Sequence, residues 1–289
     1  MGVAATTQCL MCQMERNLAT AGKLGTEEQA TAFAKDLMKL LADAPAGVSA
    51  PFFSPGVADL FHKHYGLDLD RFKQEKMDSN AFVLARMAQI REKVQSAKDP
   101  VFAGLQFAIL GNYIDFSALR NEVSFEKLDA MLLSALEMEL EGSGYADFCA
   151  ELETAKELLY LTDNAGEIGF DRIFAEEIQK KYPHLTITFC VRGGPANNDA
   201  TREDAVEVGI PFPVIDNGNR IPGTQIEMLG EEAKAAFQRA DVILSKGQGN
   251  AETLLGCGYN IYYAFLVKCP LFMERFQKSK LTPMFVKER

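Results

Sequence analysis

Leu158-Leu159-Tyr160-Leu161-Thr162-Asp163-Asn164-Ala165-Gly166-Glu167 is the stretch on which the fold turns. Four apolar residues are too few for a helix and suit a buried strand, and the run ends abruptly in polar residues. Ile168, Ile173, Phe174 and Ile178 then recur on one face of a helix. The same grammar repeats downstream. Thr186 to Val191 is rich in β-formers and ends in Arg192-Gly193-Gly194, and Phe212 to Ile215 ends in Asp216. After a helical Glu231 to Arg239, Asp241 to Ser245 ends in Lys246-Gly247, and Asn260 to Val267 is a last strand candidate. Strands that alternate with helices and are apolar along their length predict a mostly parallel sheet covered on both faces. Residues 143–289 are therefore expected to form an α/β domain.

Upstream of Gly142-Ser143-Gly144 the pattern is helical, which predicts an all-helical N-terminal domain over residues 1–142. Thr26-Glu27-Glu28-Gln29 has the spacing of a capping box, followed by Phe33, Leu37, Leu40 and Leu41 at helical intervals. Ser54-Pro55 predicts a helix start with a capping hydroxyl. Phe82, Val83, Met87, Ile90 and Val94 place one stripe on a third helix. Asp99-Pro100 opens a fourth that should stop near Gly111, and Ser124 caps a fifth running through Leu136.

Composition narrows the class. The 289 residues are 47% hydrophobic and 24% charged, and the formal net charge of -10 argues against a phosphate backbone as partner. No apolar stretch approaches the roughly 20 residues that span a bilayer, and the N-terminus lacks the pattern of a secretory signal. Met1-Gly2-Val3-Ala4-Ala5-Thr6 matches the loose myristoylation pattern, but with no basic patch beside it the match reads as chance. Six scattered cysteines in a chain this size do not make a disulfide framework, so a cytoplasmic location is expected.

Four strand candidates end in polar or glycine-containing clusters, and ligands of open α/β sheets bind beyond the carboxyl ends of strands. Asp163 and Asn164 offer adjacent hard oxygen donors, which suit Mg²⁺ or Mn²⁺; either residue is equally able to cap the following helix. Arg192 suits phosphate recognition, the glycines at 193 and 194 let amides approach an anion, and Asp199 is a candidate third oxygen ligand. Lys246-Gly247-Gln248-Gly249-Asn250 is a glycine-rich turn with a lysine at its mouth, without the spacing of a nucleotide-binding P-loop.

Taken together, these clusters resemble the damage-control phosphatase family. The resemblance rests on Asp163-Asn164-Ala165-Gly166-Glu167 with Asp171, Arg192-Gly193 with Asn198-Asp199-Ala200-Thr201, and Lys246 to Asn250. Gly111-Asn112-Tyr113-Ile114-Asp115 is similar to a further family motif, and Cys9 and Cys12 resemble the CxxC of the mainly prokaryotic branch. The Gly194 to Asn197 loop departs from the pattern, where an apolar residue is expected near position 196 or 197.

The resemblance implies a three-layer αβα, Rossmann-like domain after a helical part. It also implies one divalent cation (Mg, Mn, Co or Ni) on Asp163, Asn164 and Asp199. The implied activity is hydrolysis of small phosphate esters such as sugar phosphates or damaged phosphometabolites. On that reading the cation polarises a phosphoryl oxygen, and Lys246 with the amides after Arg192 neutralises the equatorial oxygens. Glu167 or Asp115 orients the water, Asn112 and Asn250 hold substrate beside Arg192 and Gly193, and direct attack by water is favoured over an Asp163 nucleophile.

Two other classes compete. A methyltransferase using S-adenosylmethionine would want a glycine-rich loop after the first strand, where Asp163-Asn164 stands. A non-catalytic phosphometabolite-binding protein has less need of a metal beside the phosphate. Cys9 and Cys12 would need two further ligands to hold zinc and read as a packed pair, and His62, His64 and His184 carry no ligand signal.

Overall fold

The computed structural model describes residues 2–119 and 122–287; Met1 of the myristoylation pattern lies outside them. Three helices come first: α1 (Thr7–Leu24), α2 (Glu27–Ala42) and α3 (Ser54–Tyr65). Next are α4 (Lys73–Leu84), α5 (Met87–Ser96), α6 (Pro100–Gly111), α7 (Phe125–Leu133) and α8 (Gly144–Leu152). The remainder alternates as β1 (Glu157–Leu161), α9 (Glu167–Lys181), β2 (Thr186–Val191), α10 (Arg202–Glu207), β3 (Val214–Asp216) and α11 (Glu231–Arg239). It ends with β4 (Val242–Lys246), α12 (Gln248–Leu254), β5 (Ile261–Leu266), α13 (Pro270–Phe276) and β6 (Pro283–Lys287).

The six strands form one sheet in the order β3-β2-β1-β4-β5-β6. All neighbours pair parallel except β5 and β6, which are antiparallel. Chain order reverses at β1 and β4, and such a switch point opens a crevice beyond the strand ends. Register then fixes who meets whom. Leu161 stands opposite Cys190 on β2 and Ser245 on β4, so Asp163, two residues on, falls level with Gly247.

Side chains alternate between the sheet's two faces. Leu158 and Tyr160 enter one apolar cluster while Leu159 and Leu161 enter another, which makes three layers. The first cluster runs from Val83 on α4 to Phe285 on β6, so residues on both sides of position 142 share it. Its centre is α6, buried from Ala103 through Gly111 and packed on α9, as expected of a helix apolar all round. A third cluster is separate: Ala21 of α1, Phe33 and Leu37 of α2, and Val57 and Phe61 of α3 pack with one another.

Several local expectations meet the structure directly. The Thr26 capping box is present, and Asp99 and Ser124 cap α6 and α7. Two need correction. The stripe from Phe82 to Val94 is broken between α4 and α5, where Arg86 folds back to donate to the Phe82 carbonyl and stacks on its ring. Ser54 caps nothing, because a 3₁₀ turn over Ala50–Phe53 runs straight into α3 and leaves it already helical.

Candidate active site

Strand β1 ends one residue before Thr162, which is anchored through backbone N–H and side-chain hydroxyl to the Cys190 carbonyl. The chain after β2 then folds back along the residues after β1. Ala200 N donates to the Asp163 carbonyl at 2.7 Å, and Ala165 N donates to the Asn198 carbonyl at 2.9 Å. This short antiparallel bridge sets Asn164 against Asp199. The adjacent Asp163 and Asn164 thus share one rim with the distant Asp199.

Each donor is held in place. Asp163 Oδ2 accepts from Asn112 Nδ2 and Asn164 Nδ2, both at 2.8 Å. Asp199 Oδ2 accepts from Arg192 Nε at 2.7 Å, and Arg192 Nη2 stands 3.8 Å from Asp163 Oδ1. Asn198 donates to Asn164 Oδ1 at 2.9 Å. Gly247, at φ 79°, backs onto Asp163 so closely that a Cβ there would lie 1.9 Å from Oδ2. Only glycine tolerates both that contact and that backbone.

Beneath the rim lies a buried ionic network. Lys246 is fully buried and donates to Glu167 Oε1 and Asp171 Oδ1, each at 2.6 Å, and to the Ala108 carbonyl at 2.9 Å. Glu167 in turn accepts from Asn112 and Asn164, and Tyr160 donates to Asp171 at 2.8 Å. Burial opposes the charge on Lys246, but Asp171 and Glu167 outweigh it and raise its pKa.

Asp163, Asn164, Asp199 and Asp115 line one cavity of about 200 Å³, together with Lys268. Burial, then Asp199 and Glu167, push the Asp163 carboxyl well above the usual carboxylate range. Burial likewise pushes Asp199 up to about 6, against the pull of Arg192. Burial also raises Asp115, but Lys268, 2.7 Å away, outweighs it and leaves this carboxyl below its ordinary value. Two buried carboxylates that repel each other are the electrostatic setting in which a cation is favoured. Among the described residues no three His, Cys, Asp or Glu side chains form a metal cage. The set that fits a cation is two carboxylates plus the Asn164 amide oxygen, all hard donors.

The other expected site residues fall elsewhere. Lys246, Glu167 and Asn112 sit below the donors, and Arg192 is buried against Asp199. The Gly193 amide is taken by Asn217 Oδ1 and the Asn219 carbonyl. Asn250 ties the ends of β1 and β4 together by donating to the Thr162 and Lys246 carbonyls. In the loop that departs from the family pattern, Ala196 is buried, and Asn197, at φ 51°, reaches the cavity.

Lys268 and Glu252 line the cavity without having been singled out. Lys268 lies just past β5, so the strand-end rule applied to that strand would have found it. Glu252 gave no signal beyond its place in the turn of α12.

A family model described as the damage-control phosphatase ARMT1-like domain matches residues 5–281. MJ0202 of Methanocaldococcus jannaschii, named an uncharacterized protein, is 31% identical over 273 residues, 91% of this chain and 88% of its own. Damage-control phosphatase PH1575 of Pyrococcus horikoshii is 36% identical over 179 residues, 61% of each chain. A damage-control phosphatase of Archaeoglobus fulgidus is 31% identical over 188 residues, 64% of each. The matched segments thus span less than two thirds of these two phosphatases. A crystal structure of the P. horikoshii protein, described there as a DUF89 family protein, superposes over 100% of both chains with a TM-score of 0.83 and 27% identity.

Proposed function

Because the chain belongs to the damage-control phosphatase ARMT1-like domain family, we propose that it is a metal-dependent phosphatase of small phosphate esters. Sugar phosphates and damaged phosphometabolites are the substrate classes intended. The observation that carries the reading is the pair Asp163 and Asp199, locked side by side on a cavity that Lys268 also lines. A divalent cation (Mg, Mn, Co or Ni) held by Asp163, Asn164 and Asp199 would supply Lewis-acid polarisation of a phosphoryl oxygen and of the attacking water.

The chain's own residues do the rest. Lys268 faces the cavity and neutralises charge that grows on the phosphoryl oxygens, the largest electrostatic contribution in phosphoryl transfer. Asp115, kept ionised by Lys268, accepts a hydrogen bond from the incoming water and orients it. Asn112 and Glu167 fix the side-chain orientations of Asp163 and Asn164 from below, and Lys246 holds Glu167. With Oδ2 of Asp163 already accepting two amides, direct attack by water is the preferred route.

Purified protein is expected to release phosphate from p-nitrophenyl phosphate with at least one of these four cations, and to stop when EDTA is added. Release that survives the chelator, or none with any of the four, would remove the reading.

A further inference from the structure

The groups assigned to the phosphoryl chemistry all come from residues 112–268, yet part of the cavity wall is α1. Gln8, Cys9, Cys12, Gln13 and Arg16 line it, and their positions i, i+1, i+4, i+5 and i+8 put them on one helical face. Leu10, Met14, Leu18 and Ala21 occupy another face and pack into the separate core shared with α2 and α3. The helix is thus a two-sided wall, apolar towards its own small core and polar towards the cavity. Its approach is fixed by Gly2 N and Val3 N, which donate to the Leu255 and Glu252 carbonyls of the α12 segment.

Cations near the cavity differ in what occupies them. Arg192 is buried and paired through Nε with Asp199, and Lys268, which serves the transferred phosphoryl group, is paired with Asp115. Arg16 donates to the Ser117 carbonyl at 2.5 Å and, among the described residues, forms no ion pair. Its charge is still felt at the site, since it adds to the pull of Lys268 on Asp115 and opposes the rise that burial imposes on Glu252. A guanidinium presents five donors in a planar fork, and one carbonyl leaves most of them unused. The described residues lining the cavity include no aromatic ring on which a nucleobase would stack.

We propose that Arg16 is a specificity-determining residue that binds a second anionic group, carboxylate or phosphoryl, on the organic part of the ester. Gln8 and Gln13 of the same face supply amides for neighbouring hydroxyls. The favoured substrates are small aliphatic phosphate esters carrying an additional negative charge. This rests on the phosphatase reading above and refines it.

The test compares matched esters using the full chain with Mn²⁺. Glycerol 3-phosphate against 3-phosphoglycerate isolates a carboxylate, and fructose 6-phosphate against fructose 1,6-bisphosphate isolates a phosphoryl group. The native protein is expected to favour the more anionic member of at least one pair, which also says which anion Arg16 reads. Arg16→Gln should reduce that kcat/KM ratio by ~10–100-fold, the range of a charge-assisted hydrogen bond, chiefly through KM. Arg16→Lys should recover part of it. A structural role for Arg16 would instead lower kcat for all four esters alike and leave the ratios unchanged. A ratio that survives Arg16→Gln, or no preference in the native protein, overturns the proposal while leaving the phosphatase reading intact. Failure of the native protein to hydrolyse p-nitrophenyl phosphate with any of the four cations overturns both.

Discussion

Asp163→Ala is expected to lower kcat for phosphate release by about a thousandfold, comparable to deleting a principal electrostatic group from an active site. Its carboxylate stands beside that of Asp199 on the rim, and only one of its two oxygens is taken up by hydrogen bonds. Oδ2 accepts from Asn112 and Asn164, and Oδ1 faces the Arg192 guanidinium at 3.8 Å. Removal leaves Arg192 and Asp199 as a neutral pair with little attraction for a cation. Calorimetric titration with Mn²⁺ should therefore lose its binding signal in the variant, a readout independent of turnover. Asp163→Asn separates charge from shape. It keeps an acceptor for the two amides and relieves repulsion from Asp199 and Glu167, so its metal-free melting midpoint should match or exceed that of the native protein while activity is lost. Retention of more than a tenth of native kcat by both variants would place the chemistry elsewhere.

Lys246→Met is expected to destabilise the fold by ~3–5 kcal/mol, the usual result of removing one partner from a buried ion pair. The lysine satisfies Glu167, Asp171 and the Ala108 carbonyl, and all three side chains of the network are fully buried. Methionine fills much of the volume but leaves two carboxylates facing each other without a counter-charge. The melting midpoint should fall by about 10 °C. Adding Asp171→Asn to Lys246→Met should restore part of the loss, because coupled sites do not add. A cost below about 1 kcal/mol by chemical denaturation would mean that the network does not hold these strand ends together.

Lys246 also illustrates what the sequence exposes and what it hides. A lysine at the end of an apolar strand reads as a group facing ligand, and the same reasoning picks out Asp163, Asn164 and Asp199, which do come together on one cavity. Its actual partners lie on α9, and the direction of a side chain at a strand end depends on which helix packs beside it. Lys268 escapes for another reason: the last parallel strand reads to Val267, and Lys268-Cys269-Pro270 beyond it holds no glycine or carboxylate to mark a cluster. The alternating second half was legible because buried parallel strands are continuous apolar runs between turn residues. Strand β6 was not, since Pro283–Lys287 is a short edge strand flanked by charge. Helix α1 carries a sparse apolar stripe, and its second face acquires meaning only once α12 and the loop after β5 stand next to it.

The two faces of α1 answer to different physical constraints. Leu10, Met14, Leu18 and Ala21 must fit a core built by the first three helices and the segments that join them, whereas Gln8, Gln13 and Arg16 face the cavity and answer to what enters it. Substitutions on the second face leave the sheet, the donors of the rim and the small core where they are. Divergence can therefore retune which molecule is accepted, residue by residue along one helix, while the phosphate-handling machinery stays under its own, independent selection.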